Sequence, residues 1–260
     1  MPLPKIATPT YELELPSTGE TIKYRPFLVK EEKLLVLALE SEDTKQITNA
    51  IKAVLKSCIQ SKGVKVEALP TFDIEFLFLN IRGKSVGEEI EVNVICPDDE
   101  KTQVPVFIDL DDIQVQKSDE HTNKVKVDDD IMMEMAYPSL DQFIKNNFDF
   151  DEKNAMAQSF ELIATCIDKI YTQDEVWAAA DCTKKEMNEF LESMNSSQFK
   201  EIEKFFETMP KLSHTIKVTN PKTKVKNDVV LEGLASFSLR YGIYEPGKLF
   251  QVEFCFDAVP

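Results

Sequence analysis

In TYELELPSTGETIKYRPF, apolar Tyr11, Leu13 and Leu15 alternate with charged residues, and Ile22 and Tyr24 alternate again on the return. A period of two turns one face of an extended strand toward a core. Pro16, Ser17, Thr18 and Gly19 lie between the two runs and are turn-forming residue types, so the stretch predicts a β-hairpin.

The period then changes. Glu31–Glu40 is Leu-rich, and Ile47, Ile51, Val54, Leu55, Cys58 and Ile59 recur at helical spacing until Gly63. Two helices are expected, with Cys58 on the apolar stripe. Pro70 and Thr71 suit the start of a third helix, TFDIEFLFLNIRGKS, which is apolar almost all round. A helix of that kind is either central to a core or covered by another chain.

Alternation returns in EEIEVNVICPDDEKTQVPVFIDLDDIQV, where Val92 and Val94 precede Cys96, and Val104, Val106 and Ile108 follow it. This predicts a second hairpin whose turn contains ICPDDEK. A charged connection, Gln116–Asn123, leads to KVKVDDDIMMEMAYP, read as a short hairpin turning at Asp128–Asp130, with a helical Met stripe as the competing assignment.

The second half reads as helical. Ser139 and Gln142, Thr172 and Glu175, and Thr183 and Glu186 all have capping-box spacing. Phe160, Ile163, Ala164, Ile167 and Ile170 form one stripe, and Phe199, Ile202, Phe205, Phe206 and Met209 form another that stops at Pro210. Trp177, the single tryptophan, reads as a core or interface aromatic. A last hairpin, HTIKVTNPKTKVKNDVVLEGLASF, overlays the ICPDDEK hairpin at an offset of 124 residues. Ile216 then falls on Val92, Val218 on Val94, Asn220 on Cys96, Val230 on Val106, Leu234 on Leu110 and Phe237 on Ile113. The pattern suggests a duplicated strand–knuckle–strand unit.

The expected fold class is therefore α+β: β-hairpins forming small antiparallel sheets with packed helices, and a mainly helical C-terminal half ending in a further hairpin. A boundary near residue 150 would separate an N-terminal α+β domain, 1–150, from a helical region and hairpin unit, 151–260.

Composition narrows the function. At 260 residues, 43% hydrophobic and with 17 Phe, the chain can bury a substantial core. Its net charge of −16 argues against nucleic-acid and anionic membrane partners. The five cysteines are scattered, which indicates a reducing compartment. The start MPLPKIATPT lacks a charged-then-apolar signal pattern, and no run reaches the roughly 18 apolar residues of a membrane span. The expectation is a cytosolic protein, or one assembled in a cytosol.

Catalytic and metal-binding patterns are sparse. A structural zinc takes four Cys or His ligands, two per knuckle. Cys96 has no partner two or three residues on, where Asp99 stands, and the later knuckle has Asn220 and Thr223 at those places. His121 and His214 are isolated in sequence. The turn is read as keeping a knuckle's shape without its metal, held by local hydrogen bonds of Asp98 and Asp99. A small zinc-ribbon-like protein centred on Cys96 is the alternative. There is no G-x-S-x-G elbow and no glycine-rich phosphate loop, and the acidic runs lack a calcium-loop frame. No catalytic residue, metal ligand or cofactor is assigned, and the chain is expected not to be an enzyme. Partner binding is the better use of its apolar residues. The candidates are Phe72, Phe76 and Leu79 on the all-round apolar helix, and Met133 and Met135 in the methionine cluster.

Long stretches carry a resemblance. LPKIATPTYELELPSTGETIKYRPFLVKEEKLLVLALESED, LPTFDIEFLFLNIRGKSVGE, CPDDEKTQVPVFIDLDDIQV and PKLSHTIKVTNPKTKVKNDVVLEGLASF are similar to the baseplate hub and hub-assembly family of contractile-tailed, T-even-like bacteriophages. The resemblance covers about residues 3–237, and SLRYGIYEPGKLFQVEFCFDAVP departs from it. It implies a virus protein of the tail baseplate's central hub or of its assembly. Such a protein would bind other hub or tail proteins, in the host cytoplasm during assembly or in the virion baseplate. It implies no enzymatic activity.

Overall fold

The computed structural model describes residues 6–41, 43–139, 155–233, 243–245 and 248–250. Strands β1 (Tyr11–Glu14) and β2 (Thr21–Tyr24) form the first hairpin, with Leu13 opposite Ile22. Gly19 closes the turn with φ of 71°, a conformation that costs glycine nothing. Helices α1 (Val29–Glu40) and α2 (Thr44–Cys58) follow, and α2 buries Ile51, Val54, Leu55 and Cys58 along one stripe.

An ion pair ties these elements together. The Arg25 guanidinium, just after β2, lies 2.9 Å from Glu31 Oε1 on α1. The Ser57 hydroxyl on α2 donates to the same oxygen at 2.7 Å, and the Leu28 N–H donates to Oε2 at 2.8 Å. Glu31 is buried, and these donors satisfy its charge.

The all-round apolar segment is helix α3 (Thr71–Val86), and the chain itself covers it. Phe72, Ile74, Phe76, Leu77, Phe78, Leu79 and Ile81 are all buried, so apolar residues on every side of the helix have protein to face. A Cβ at Gly83 would lie 3.0 Å from Leu110 Cδ1, so glycine there permits a close approach by the segment after the next hairpin.

That hairpin is β3 (Glu89–Ile95) and β4 (Gln103–Asp109), with Val92 opposite Val106. The remaining elements are β5 (Gln114–Gln116), β6 (Lys124–Lys126), β7 (Met132–Met135), α4 (Ala155–Cys166), β8 (Ile167–Tyr171), β9 (Val176–Ala178), α5 (Lys184–Glu192) and α6 (Ser196–Thr208). Then come β10 (Lys211–Thr219), β11 (Lys226–Glu232), β12 (Ile243–Glu245) and β13 (Lys248–Phe250). The sheets are small and antiparallel: β1-β2, β3-β4, β11-β10-β5, β6-β7-β8-β9 and β12-β13. The fold is mixed helix and strand, as the alternating periods predict.

The chain forms two compact units. The first comprises Met1–Val66, Phe72–Gln116 and Lys211–Pro260, and the second Glu67–Thr71 and Lys117–Pro210. The expected boundary near residue 150 falls outside the described residues. The two units part at Gln116 and at Pro210, because β6 and β7 join the strands and helices that follow them rather than those before. The second unit has its own core: Val125, Met133, Met135, Ile163, Cys166, Ile167, Ile170, Met187, Leu191, Ile202 and Phe205.

This core corrects the helical reading of the second half. The stripe from Phe160 to Ile170 is not one helix. It is helical only to Cys166, and Ile167–Tyr171 is a strand. Ile167 pairs with Met135 while Lys169 pairs with Glu134, so Asp168 is an extra residue at a β-bulge. The bulge brings Ile167 and Ile170 to the same buried side although they are three apart, which imitates helical spacing. Thr172 and Glu175 likewise cap no helix. Thr172 Oγ1 accepts from the Glu175 N–H at 3.2 Å inside the β8–β9 turn. Thr183 and Glu186 do form the expected capping box, at the start of α5. Asn195 and Gln198 form another, at the start of α6. Gln142 lies outside the described residues. At Asp128–Asp130 the chain turns between β6 and β7, so the methionines are on a strand and not on a helix.

Candidate functional site

The knuckle of the β3–β4 hairpin and that of the β10–β11 hairpin meet within the first unit. In the first knuckle the Cys96 N–H donates to the Thr102 carbonyl at 2.8 Å and the Glu100 N–H to the Cys96 carbonyl at 2.9 Å. In the second, the Asn220 N–H donates to the Val225 carbonyl and the Lys224 N–H to the Asn220 carbonyl, both at 2.9 Å. Glu100 and Lys224 hold equivalent places and have φ of 53° and 64°. Among the described residues they alone combine a side chain with positive φ.

The duplication seen in the sequence therefore has a structural counterpart, with one correction. Ile216 stands opposite Val229, whereas Val92 stands opposite Val106. The second knuckle is one residue shorter, so Val229, not Val230, is the equivalent of Val106. Along β4 and β11 the burial sequence is then identical, with Ile108 and Leu231 as the buried position. Leu234 and Phe237 lie outside the described residues.

The two acidic residues after Cys96 divide their work. Asp99 works mainly within its own knuckle: its Oδ1 accepts from the N–H groups of Lys101 at 3.1 Å and Thr102 at 2.9 Å, and its Oδ2 accepts from the Thr102 hydroxyl, with the Asn220 amide a lesser influence. Asp98 reaches across. Asn220 Nδ2 donates to its two oxygens at 3.0 and 3.1 Å, Asn227 Nδ2 donates to Oδ1 at 2.8 Å, and the Thr223 hydroxyl donates to Oδ2. The Thr223 hydroxyl, then Asn220 and Asn227, hold the Asp98 carboxyl below its ordinary value despite some desolvation. The Thr102 hydroxyl and N–H do the same for Asp99. The local hydrogen bonds expected of both aspartates hold for Asp99. Asp98 is the residue that sequence reasoning placed wrongly, although the offset of 124 residues already matched the two knuckles.

These groups do not make a metal centre. Among the described residues, no group of three or more His, Cys, Asp or Glu side chains is placed to hold a metal ion. Asn220 turns its amide nitrogen toward the cluster and its Oδ1 toward the N–H groups of Lys222 and Thr223, so it presents a donor where a cation needs a lone pair. The zinc alternative centred on Cys96 thus finds no donor set among the described residues. Burial, then the charges of Asp98 and Asp99, raise the Cys96 thiol. Burial also raises Cys58 to about 11 and Cys166 to about 12, so neither is an activated nucleophile.

The partner-binding candidates lie inside. Phe72, Phe76 and Leu79 on α3 and Met133 and Met135 on β7 are each at most 9% exposed. Their side chains are used in the chain's own cores. The apolar surface that remains open is elsewhere. On α1, Val29 is 79%, Leu34 41% and Leu37 54% exposed. Leu34 and Leu37 border an open groove with Ala50 and Ala53 of α2. Periodicity did not identify this surface, because Leu34 and Leu37 alternate with the buried Leu35, Val36 and Ala38.

His121 is polar and half buried in the second unit, stacked against Tyr137 at a ring distance of 5.6 Å and tilted against Phe205 at 5.2 Å. His121 Nδ1 lies 3.0 Å from the Thr208 hydroxyl, which also reaches the Lys204 carbonyl at 2.7 Å, and Nε2 lies 2.9 Å from the Tyr137 hydroxyl. Both ring nitrogens are engaged in holding structure.

No helix among the described residues is long and apolar enough to cross a membrane. No curated protein and no solved structure matches the chain. The family model described as T4 bacteriophage base plate protein matches residues 8–238, and the chain belongs to that family.

Proposed function

We propose that this protein is a non-enzymatic component of the phage tail baseplate's central hub pathway, acting through contacts with other hub or tail proteins. The observation that carries the reading is the family match over residues 8–238. Two features support it. The described cysteines with raised pKa are buried, and no cluster of metal-ligating side chains is present among the described residues. The exposed leucines of α1 also offer apolar surface of the kind protein partners cover. The protein would act in the host cytoplasm during assembly, with the virion baseplate as its destination if it is a permanent subunit.

Quantitative mass spectrometry of purified particles beside infected-cell lysate tests this, calibrated on a known tail protein. Stoichiometric presence in particles identifies a hub subunit. Abundance in lysate with absence from particles identifies an assembly factor. Failure to co-purify with any tail protein from either source overturns the proposal.

A further inference from the structure

We infer that the paired knuckles are the two halves of a metal-ribbon frame in which the Asp98 carboxylate has taken the cross-linking place of a metal ion. Three independent observations converge. The return strands β4 and β11 have the same burial sequence, and Glu100 and Lys224 share a positive φ. The tips face each other, since Asn220 Nδ2 lies 3.0 Å from Asp98 Oδ1 although 122 residues separate them in the chain. Cys96 and Asp99 in one tip, and Asn220 and Thr223 in the other, have the two-per-knuckle spacing of a tetrahedral site.

The chemistry at the centre is inverted. A ribbon's knuckles present lone pairs to a cation. Here the second hairpin presents three donors, Asn220 Nδ2 and Thr223 Oγ1 from its knuckle and Asn227 Nδ2 from β11, and all of them converge on one carboxylate. Asn220 is fully buried, so its amide needs that partner. The site selects an anion supplied by its own chain, and the two hairpins stay joined without metal. Asp99 keeps the first knuckle folded through Lys101 and Thr102, the local job of a turn residue rather than of a ligand.

The test uses the full-length protein and cobalt(II), whose visible spectrum reports tetrahedral thiolate ligation. The native protein should show no such bands, and its thermal midpoint should be unchanged by a chelator. A stoichiometric cobalt or zinc complex of the native protein would overturn the inference. The variant carrying Asp99→Cys, Asn220→Cys and Thr223→Cys, with Cys96 retained, should bind one cobalt ion with intense tetrahedral bands. A variant that folds, by circular dichroism, but shows no tetrahedral site overturns the frame. If the variant does not fold with or without metal, a double-mutant cycle on Asp98→Ala and Asn220→Ala decides. Strongly non-additive shifts in the denaturation midpoint support the clasp, and additive shifts overturn it.

Discussion

Asp73, in the first turn of α3, is fully buried and accepts two hydrogen bonds from Ser17, one from the backbone N–H at 3.0 Å and one from the hydroxyl. The contact fastens the turn of the β1–β2 hairpin to the central helix. A bond to a buried carboxylate contributes more than a neutral one. Ser17→Ala should therefore destabilise the protein by about 1.5–3 kcal/mol, read from the urea midpoint at neutral pH. An unchanged midpoint would mean the contact does not form in solution.

Acid should weaken the first unit through Glu31. Burial alone would raise this carboxyl, but hydrogen bonds from Arg25, Ser57, the Leu28 N–H and Lys30 outweigh it and lower the pKa from 4.5 to about 2. A depressed folded pKa gives stability that is complete above the unfolded value. It is lost as pH falls from about 4.5 toward 2, by up to about 3 kcal/mol. Urea midpoints across that window should fall steeply in the native protein and more gently in Glu31→Gln. Removing Arg25 instead leaves the buried Glu31 with only Lys30, the Ser57 hydroxyl and the Leu28 N–H, and Arg25→Met should cost about 3 kcal/mol at pH 7.

Phe76 separates a core role from a partner-facing one. It is 9% exposed on α3, so Phe76→Ala should cost about 3–5 kcal/mol of stability. Leu37→Ser, at an exposed position on α1, should stay within about 0.5 kcal/mol. Chemical denaturation of the two variants side by side checks both. A Phe76→Ala protein of native stability would show that α3 is not the core helix.

His121 should make the second unit sensitive to mildly acidic pH. Burial lowers its pKa below the ordinary 6.5, and its neutral form suits the Tyr137 and Thr208 hydroxyls. With the folded value depressed, the unfolded chain takes up the proton first. Stability is then full above about pH 6.5 and declines as pH falls through the folded value. Thermal midpoints from pH 8 to pH 5 should show this decline in the native protein, and His121→Gln should lack it.

Several elements were legible because their signals are local. The β1–β2 and β3–β4 hairpins, α2, α3 and α6 follow from periodicity and turn residues at short range. Thr183 and Glu186 form a true capping box, because a helix follows them. The same spacing at Thr172 and Glu175 serves a hairpin turn, because β7 supplies a strand for Ile167–Tyr171 to pair with. That partner ends more than thirty residues earlier in the chain, so no local window contains it. Ile167 and Ile170 deceive for the same reason, since only the bulge against Met135 places both on one face.

The knuckle pair shows the same division. Read alone, the sequence suggested that the two tips are variants of one motif, and it determined that neither carries a full ligand set and that the chain resembles a phage baseplate family. It also determined that α3 must be surrounded, since a helix apolar on every side cannot face water. Tertiary structure alone decided what surrounds it, and that Asp98 makes the direct hydrogen bonds to Asn220 while Asp99 serves mainly its own knuckle. The physical reason is that a carboxylate and an amide can meet locally or across 122 residues at similar distances. Which partner wins depends on where the two hairpins are set, and that is a property of the folded chain.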